Sequence, residues 1–246
     1  MSLLRTAFDP ILSVILPEQC RVCFARECDI AGGVVCAECW QKAQLFTKDT
    51  PLCPKCGAVL MTALRSDSAT CNACDKMAFD RAFACGVYEG AISASVLALK
   101  KQPVIARHLK DAIRDSFARN PFVKADFIVP VPLSKKRMFE RGFNQAEKIA
   151  DFVSRLLDLP INTSILQRTI HTPLHRAGMD LRARELSVEK AFSVVNAALV
   201  GNKRILLVDD VFTSGATVNA CSAVLKKSGA SFVTVFTIAR AVQGRY

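Results

Sequence analysis

Eight of the eleven cysteines fall into four C-x-x-C pairs, and whatever the first third of this chain folds into must bring them to use. The pairs are Cys20/Cys23, Cys36/Cys39, Cys53/Cys56 and Cys71/Cys74. Cysteines at this spacing form a knuckle that offers both thiolates to one tetrahedral ion, and two knuckles complete a four-thiolate shell. The third pair lies in CPKCG, where Pro54 stiffens the turn and Gly57 permits a positive φ after it. Cys20 and Cys53 are 33 residues apart and Cys36 and Cys71 are 35 apart, as in a duplicated zinc unit. Thioredoxin-like redox pairs and iron–sulfur ligands are the competing chemistries, but neither usually comes as an even array of four pairs. The expectation is about two Zn2+ ions per chain, structural rather than catalytic, because a closed shell of four thiolates leaves no position for water. Sequential and interleaved pairing both satisfy the spacing, and Cys28, inside the first unit, is a spare thiol that could replace a ligand. Otherwise Cys28, Cys85 and Cys221 read as small buried or surface residues. Lys42, Lys48, Lys55 and Arg65 give this segment a basic surface for nucleic acid or a partner, without specificity.

A cysteine array of this kind belongs in a reducing compartment. The N-terminal stretch MSLLRTAFDPILSVILPEQC is broken by Asp9-Pro10 and lacks a clean apolar core with a cleavage site, so residues 1–17 read as a short amphipathic helix rather than an export signal. No apolar run approaches the roughly 20 residues that span a membrane. A cytoplasmic protein is therefore expected. The formal charge of +11 is concentrated at 100–190, with 18 Lys/Arg against 10 Asp/Glu. Such an excess suits phosphate-bearing partners, or simply a solvated basic face.

From Asp80 onward the cysteines thin out and periodic apolar patterns begin. RAFACGVYEG reads as a strand, 91–101 and 104–119 as helices, and DFIVPVPL (126–133) as a buried strand that Pro130 and Pro132 bring to an end. A basic loop follows, with Lys135, Lys136, Arg137 and Arg141 within seven positions, then Asn144 as cap of a helix over 144–157. ILLVDDVFTSGAT (205–217) reads as a strand over 205–208, two acids, a small hydroxyl-bearing turn and a helix N-terminus suited to an anion. FVTVFTIA (232–239) is a last strand. Alternating strands and helices predict an α/β body with a mostly parallel sheet, whose ligand would lie outside the carboxyl ends of the strands.

ILLVDDVFTSGAT resembles the phosphoribosyl pyrophosphate (PRPP) motif of type I phosphoribosyltransferases. Combined with the cysteine array and VPVPLSKKRMFERGFNQA, the chain resembles the ComF family, which includes competence protein ComFC and GntX-like proteins. The resemblance implies a double zinc ribbon over 18–78 and a phosphoribosyltransferase type I fold over 79–246, with a flexible lid at about 168–190. It implies that Asp209 and Asp210 hold the ribose hydroxyls and that Thr213, Ser214, Gly215, Ala216 and Thr217 wrap the 5-phosphate. Leu133, Ser134 and Lys135 would sit at the pyrophosphate end with Arg137 and Arg141 nearby, and Mg2+ would bridge ligand oxygens. In the lid span Arg168, Thr172, Arg182 and the KAF ending at Phe192 match the family, whereas His175 stands where Gln is expected and ELSVEKAF lacks an Asn.

The resemblance points to a PRPP-binding protein of natural transformation that handles incoming single-stranded DNA, with a competence helicase or DNA-processing protein as partner. The alternatives are an active pentosyl transferase of nucleotide or salvage metabolism and a non-catalytic PRPP-sensing scaffold. No catalytic residue stands out; His171 and His175 are candidates only through their place in the lid. Between 134 and 190 the aromatics are Phe139, Phe143 and Phe152, without Tyr or Trp. Phe139 and Phe143 read as core or lid packing in preference to stacking platforms.

Overall fold

The structure, a computed structural model, describes residues 18–28, 30–60, 71, 74–169 and 191–242. The expected N-terminal helix, Arg65, and most of the lid with His171, Thr172, His175 and Arg182 lie outside them.

The body is built on a four-stranded sheet. Its strands in chain order are β1 (Arg81–Val87), β2 (Phe127–Pro130), β5 (Arg204–Phe212) and β6 (Phe232–Arg240). They lie in the order β1-β6-β5-β2, and every neighbouring pair is parallel. Between β1 and β2 run α2 (Gly90–Leu99) and α3 (Arg107–Arg119), after a short α1 (Ala37–Gln41) in the cysteine segment. Between β2 and β5 come α4 (Lys135–Arg141), α5 (Gln145–Leu157) and an antiparallel pair, β3 (Leu166–Arg168) with β4 (Phe192–Val194). The helix α6 (Ala216–Lys227) joins β5 to β6. Among the described residues no helix is long and apolar enough to cross a membrane.

Side-chain alternation along β5 sorts the core into two layers. Leu206 and Val208 pack with Ile92, Leu99, Ile113 and Ile149 from α2, α3 and α5. Ile205 and Leu207 pack on the other face with Val218, Cys221 and Leu225 from α6 and with Leu166 and Phe192. Each layer also takes in one cysteine unit: Cys20, Cys36 and Trp40 join the first, and Cys53, Cys56 and Cys74 the second. The zinc segment is thus fused to both faces of the sheet rather than tethered beside it.

Three boundaries differ from the sequence reading. The strand expected to stop at Val208 runs to Phe212, because Asp209, Val211 and Phe212 keep their register with Thr237, Ala239 and Arg240 of β6. Asp209 and Asp210 are therefore strand residues, not loop residues. The basic stretch after β2 is a helix, α4: the Ser134 hydroxyl caps it by accepting from the Arg137 N–H at 3.4 Å, and Gly142 closes it at φ 74°. The strand read over 126–133 is confined to Phe127–Pro130.

Candidate functional site

Two features meet at the carboxyl edge of the sheet: the acid pair in the last part of β5 and the turn Thr213–Thr217 that opens α6. Alternation sends the adjacent acids to opposite faces. Asp210 is only 7% exposed and continues the Leu206–Val208 side. There Lys100, which follows α2, places its Nζ 3.1 Å from Asp210 Oδ2, and Gln145 Nε2 donates to the same oxygen at 3.4 Å. Arg141 holds Gln145 in turn, donating from Nη1 to Oε1 at 2.7 Å. Asp209 Oδ1 accepts the backbone N–H of Asp210 at 2.8 Å. Burial, then the neighbouring Asp210 charge, raises the Asp209 carboxyl well above the ordinary carboxylate range.

Guanidiniums converge on the pair. Arg137 is pulled below its ordinary pKa by burial and then by Arg141, while Asp210, Glu140 and Asp209 oppose the shift. Arg168 is lowered by burial and then by Arg137, while Cys221 and Asp209 oppose it. The Arg168 guanidinium lies over the Phe192 ring at 5.1 Å, so the β3–β4 pair carries this charge to the site. Asn144, expected as a cap, accepts the Ala146 N–H at 3.0 Å and donates to Val131 O at 3.0 Å, which pins α5 to the end of β2.

In the turn, Thr213 and Ser214 are exposed and Gly215 is buried at φ 82°. Ser214 Oγ accepts the Ala216 N–H at 3.4 Å, and the first turn of a helix leaves further N–H groups without intrahelical partners. A Cβ on Gly215 would fall 2.6 Å from Phe212 Cζ, so only glycine fits.

The residues singled out in sequence are not equally placed. Asp209 and Asp210 precede the Thr213, Ser214, Gly215, Ala216 and Thr217 turn by a few residues, Arg137 lies within electrostatic reach of both acids, and Arg141 reaches Asp210 through Gln145. Ser134 is buried as the α4 cap, and Lys135 and Lys136 point outward from α4. Phe139 is 92% exposed and α4 buries none of its residues, so the core does not take that ring, and packing under the lid lies outside the described residues. Lys100 and Gln145 were missed. The only signal for Lys100 was a charge placed directly after a helix, GAISASVLAL, that carries none.

The cysteines assemble sequentially. Cys20, Cys23, Cys36 and Cys39 form one cluster and Cys53, Cys56, Cys71 and Cys74 the other, with the sulfurs of each within 4.8 Å of one another. Tetrahedral Zn–S bonds of about 2.3 Å imply sulfur separations of about 3.8 Å. The pairs Cys23–Cys36 (3.9 Å), Cys53–Cys74 (3.7 Å), Cys71–Cys74 (3.6 Å) and Cys56–Cys71 (3.4 Å) fit that shell. They are far beyond the about 2.05 Å of a disulfide. Cys28 stays outside the first set, its thiol raised to about 11 by burial and then by Cys20. Both sites are consistent with structural zinc. Burial raises Cys20 and Cys53, but backbone N–H donors outweigh it and hold each at about 6, which favours the thiolate a metal needs.

Known proteins match both the cysteine segment and most of the chain. Residues 11–75 match the double zinc ribbon domain family. The chain is 32% identical to competence protein F of Haemophilus influenzae over 86% of its own length and 93% of that protein. It is 28% identical to competence protein ComFC of Bacillus subtilis over 84% of each chain, and 32% identical to the DNA utilization protein YhgH of Escherichia coli over 47% of this chain and 49% of that one. Among solved structures, the B. subtilis glutamine PRPP amidotransferase superposes with a TM-score of 0.36 and 20% identity over 60% of this chain and 26% of that one. A Pyrococcus horikoshii purine phosphoribosyltransferase superposes with a TM-score of 0.30 and 15% identity over 56% and 87% of the two chains. With its two four-cysteine ribbons and near-complete coverage of competence protein F, the chain belongs to the competence protein F/ComFC family.

Proposed function

We propose that the carboxyl edge of the sheet binds PRPP or a closely similar phosphosugar, in a protein that acts on incoming single-stranded DNA. The observation that carries the first half is the glycine-closed hydroxyl turn of Thr213–Thr217 standing beside two carboxylates and the guanidiniums of Arg137 and Arg168. In this reading the backbone N–H groups of the turn and the exposed Thr213 and Ser214 hydroxyls hold the 5-phosphate. Asp209 and Asp210 accept hydrogen bonds from the ribose hydroxyls, with Lys100 orienting Asp210. Arg137, Arg141 and Arg168 hold the pyrophosphate and screen its charge, while Leu133, Ser134 and Lys135 bound that end. The donor set offers two carboxylates rather than a full oxygen cage, which suits Mg2+ held chiefly by ligand oxygens. When bound, Mg2+ would supply charge neutralisation on the pyrophosphate. Should pentosyl transfer occur, the same groups would stabilise the charge that develops as the anomeric bond lengthens.

The nucleic-acid half is favoured by α4. Four cations and one anion share its seven residues, none of them is buried, and the exposed Phe139 ring stands among them. An aromatic face flanked by cations suits an unstacked base and its phosphates. The names of the relatives, which speak of competence and DNA utilization, point the same way.

Calorimetry with PRPP, with and without Mg2+, tests the pocket: Asp209→Asn/Asp210→Asn should abolish the heat of binding, and unchanged heat would remove the assignment. Single-strand binding should fall steeply with salt. Phe139→Ala with Lys136→Ala should weaken it without touching PRPP binding; a flat salt response would remove the DNA reading.

A further inference from the structure

The second cysteine unit and the phosphate turn are joined by side chains that neither zinc binding nor phosphate binding requires. Arg240, the last residue of β6, donates from Nη1 to Cys56 O and from Nη2 to Cys56 Sγ at 3.6 Å. Its guanidinium carbon lies 4.1 Å from the centroid of the Phe212 ring. That ring ends β5 and presses on Gly215, where a Cβ would meet Phe212 Cζ at 2.6 Å and Met77 Cε at 3.1 Å. Met77 belongs to the cysteine unit, since its N–H donates to Cys74 O at 3.0 Å. Ala78 N–H donates to Asn219 Oδ1 in α6 at 2.7 Å, and Asp80 pairs with Lys226 at 2.6 Å near the far end of that helix.

Phe212 and Met77 thus press together on the side of Gly215 where a Cβ would stand. One arm runs Cys56–Arg240–Phe212 and the other Cys74–Met77, and both begin on cysteines of the same cluster. A turn held at positive φ by packing cannot relax unless its walls move. The β5–β6 ladder holds the backbones of Phe212 and Arg240, while Met77 and the Cys56 end of the Arg240 contact belong to the gathered cluster. A zinc ion held by four thiolates carries net negative charge with its ligands, so a guanidinium on one of the sulfurs is drawn to it when the metal is bound. The first unit packs elsewhere, with Trp40 against His108 of α3 at 5.6 Å between ring centroids.

We propose that Arg240 is a positioning residue that couples the second cysteine cluster to the phosphate turn, so that metal in this cluster sets the affinity for a phosphosugar. Coupling between sites is reciprocal, so a bound phosphosugar must slow metal release from the same cluster. The proposal rests on the phosphosugar reading of the turn.

The test uses the full-length, zinc-loaded protein. PRPP binding is followed by calorimetry, and zinc release to a chromophoric chelator is followed with and without saturating PRPP. Wild type should release its two zinc ions in two phases, of which PRPP slows one several-fold. Arg240→Met should still hold both ions, bind PRPP about tenfold more weakly, in line with loss of the groups that hydrogen-bond to metal ligands elsewhere, and lose the protection. Arg240→Lys should lie between. If Arg240→Met does not fold, Phe212→Leu, which leaves every ligand and the guanidinium in place, should lose the protection in the same way. Wild-type affinity in Arg240→Met together with PRPP-independent release in wild type overturns the coupling. If wild type itself gives no heat with PRPP, the pocket reading falls and the coupling with it, so the two failures are told apart by the first titration.

Discussion

The two cysteine units are near copies in local chemistry and opposites in what they touch. In each, the N–H of the third cysteine donates to the sulfur of the first at 3.4 Å, Cys36 to Cys20 and Cys71 to Cys53. In each, the N–H after the second cysteine returns to the carbonyl of the first, Phe24 to Cys20 at 2.9 Å and Gly57 to Cys53 at 2.8 Å. Both of those residues have positive φ, 57° and 67°. Yet Phe24 is 69% exposed, whereas a Cβ on Gly57 would sit 2.9 Å from the Ala82 carbonyl of β1. The first unit lies on the sheet face of Asp210, and Arg21 and Phe24 share a groove with Leu97 and Lys100. The second lies on the face of Asp209, and its Met77 packs against Gly215 of the Thr213–Thr217 turn. Duplicated knuckles thus deliver the same thiolate chemistry twice, and the surroundings decide its consequence.

Removing a ligand from each unit should separate the two most sharply. Structural zinc in small ribbons carries an apparent binding free energy on the order of 10 kcal/mol. Cys20→Ser and Cys53→Ser should each lower the zinc content from two to one by metal analysis. Only Cys53→Ser should also abolish PRPP binding, and equal loss in both variants would erase the functional difference between the units.

The acid pair gives a difference in sign. Asp210 is buried and paired with Lys100, so Asp210→Asn leaves a lysine without its partner and should destabilise by about 3 kcal/mol. Asp209 behaves oppositely. A folded pKa raised above the unfolded value contributes stability that is complete below about pH 4 and is lost as pH rises through the folded value. Asp209→Asn removes that loss, so its melting temperature should exceed wild type at pH 7 and converge with it at pH 3. Denaturation at the two pH values decides; a lower midpoint at pH 7 would contradict the raised Asp209 carboxyl.

The knuckle exits come next. Gly57→Ala meets both positive φ and a backbone carbonyl and should lose roughly 2 kcal/mol in denaturant titrations. Phe24→Gly relieves a left-handed conformation at the expense of a freer unfolded chain and should stay within about 1 kcal/mol of wild type. The smallest expected effect is at the ion pairs. The exposed Arg26–Glu38 pair of the first unit should contribute under about 0.5 kcal/mol in a double-mutant cycle, and the more enclosed Asp80–Lys226 pair about 1 kcal/mol.

Much of this was readable in the sequence where the cause is local. C-x-x-C spacing makes a knuckle whatever surrounds it, and Ser134, Gly142 and Asn144 carry their capping chemistry in their own side chains and backbone. Where the cause was a distant strand, the reading stopped short. The apolar run ends at Val208, but β6 offers hydrogen-bond partners as far as Arg240 and draws both aspartates into the ladder. The charges of the basic stretch suggest a loop, whereas Ser134 and Gly142 at its ends carry the caps of a helix. Lys100 and Gln145 meet Asp210 from positions 110 and 65 residues away, a separation no local pattern reports.

The sequence by itself determined two metal units, an α/β body, and a turn shaped for an anion beside two acids. Each follows from residue types a few positions apart, whose geometry the backbone sets. Only the tertiary structure decided that the cysteines group sequentially, that the adjacent acids face opposite sides of the sheet, and that one cysteine unit packs on the Thr213–Thr217 turn. Those outcomes depend on which surfaces pack together. Burial against a particular neighbour is a property of the assembled core, not of any stretch that contributes to it.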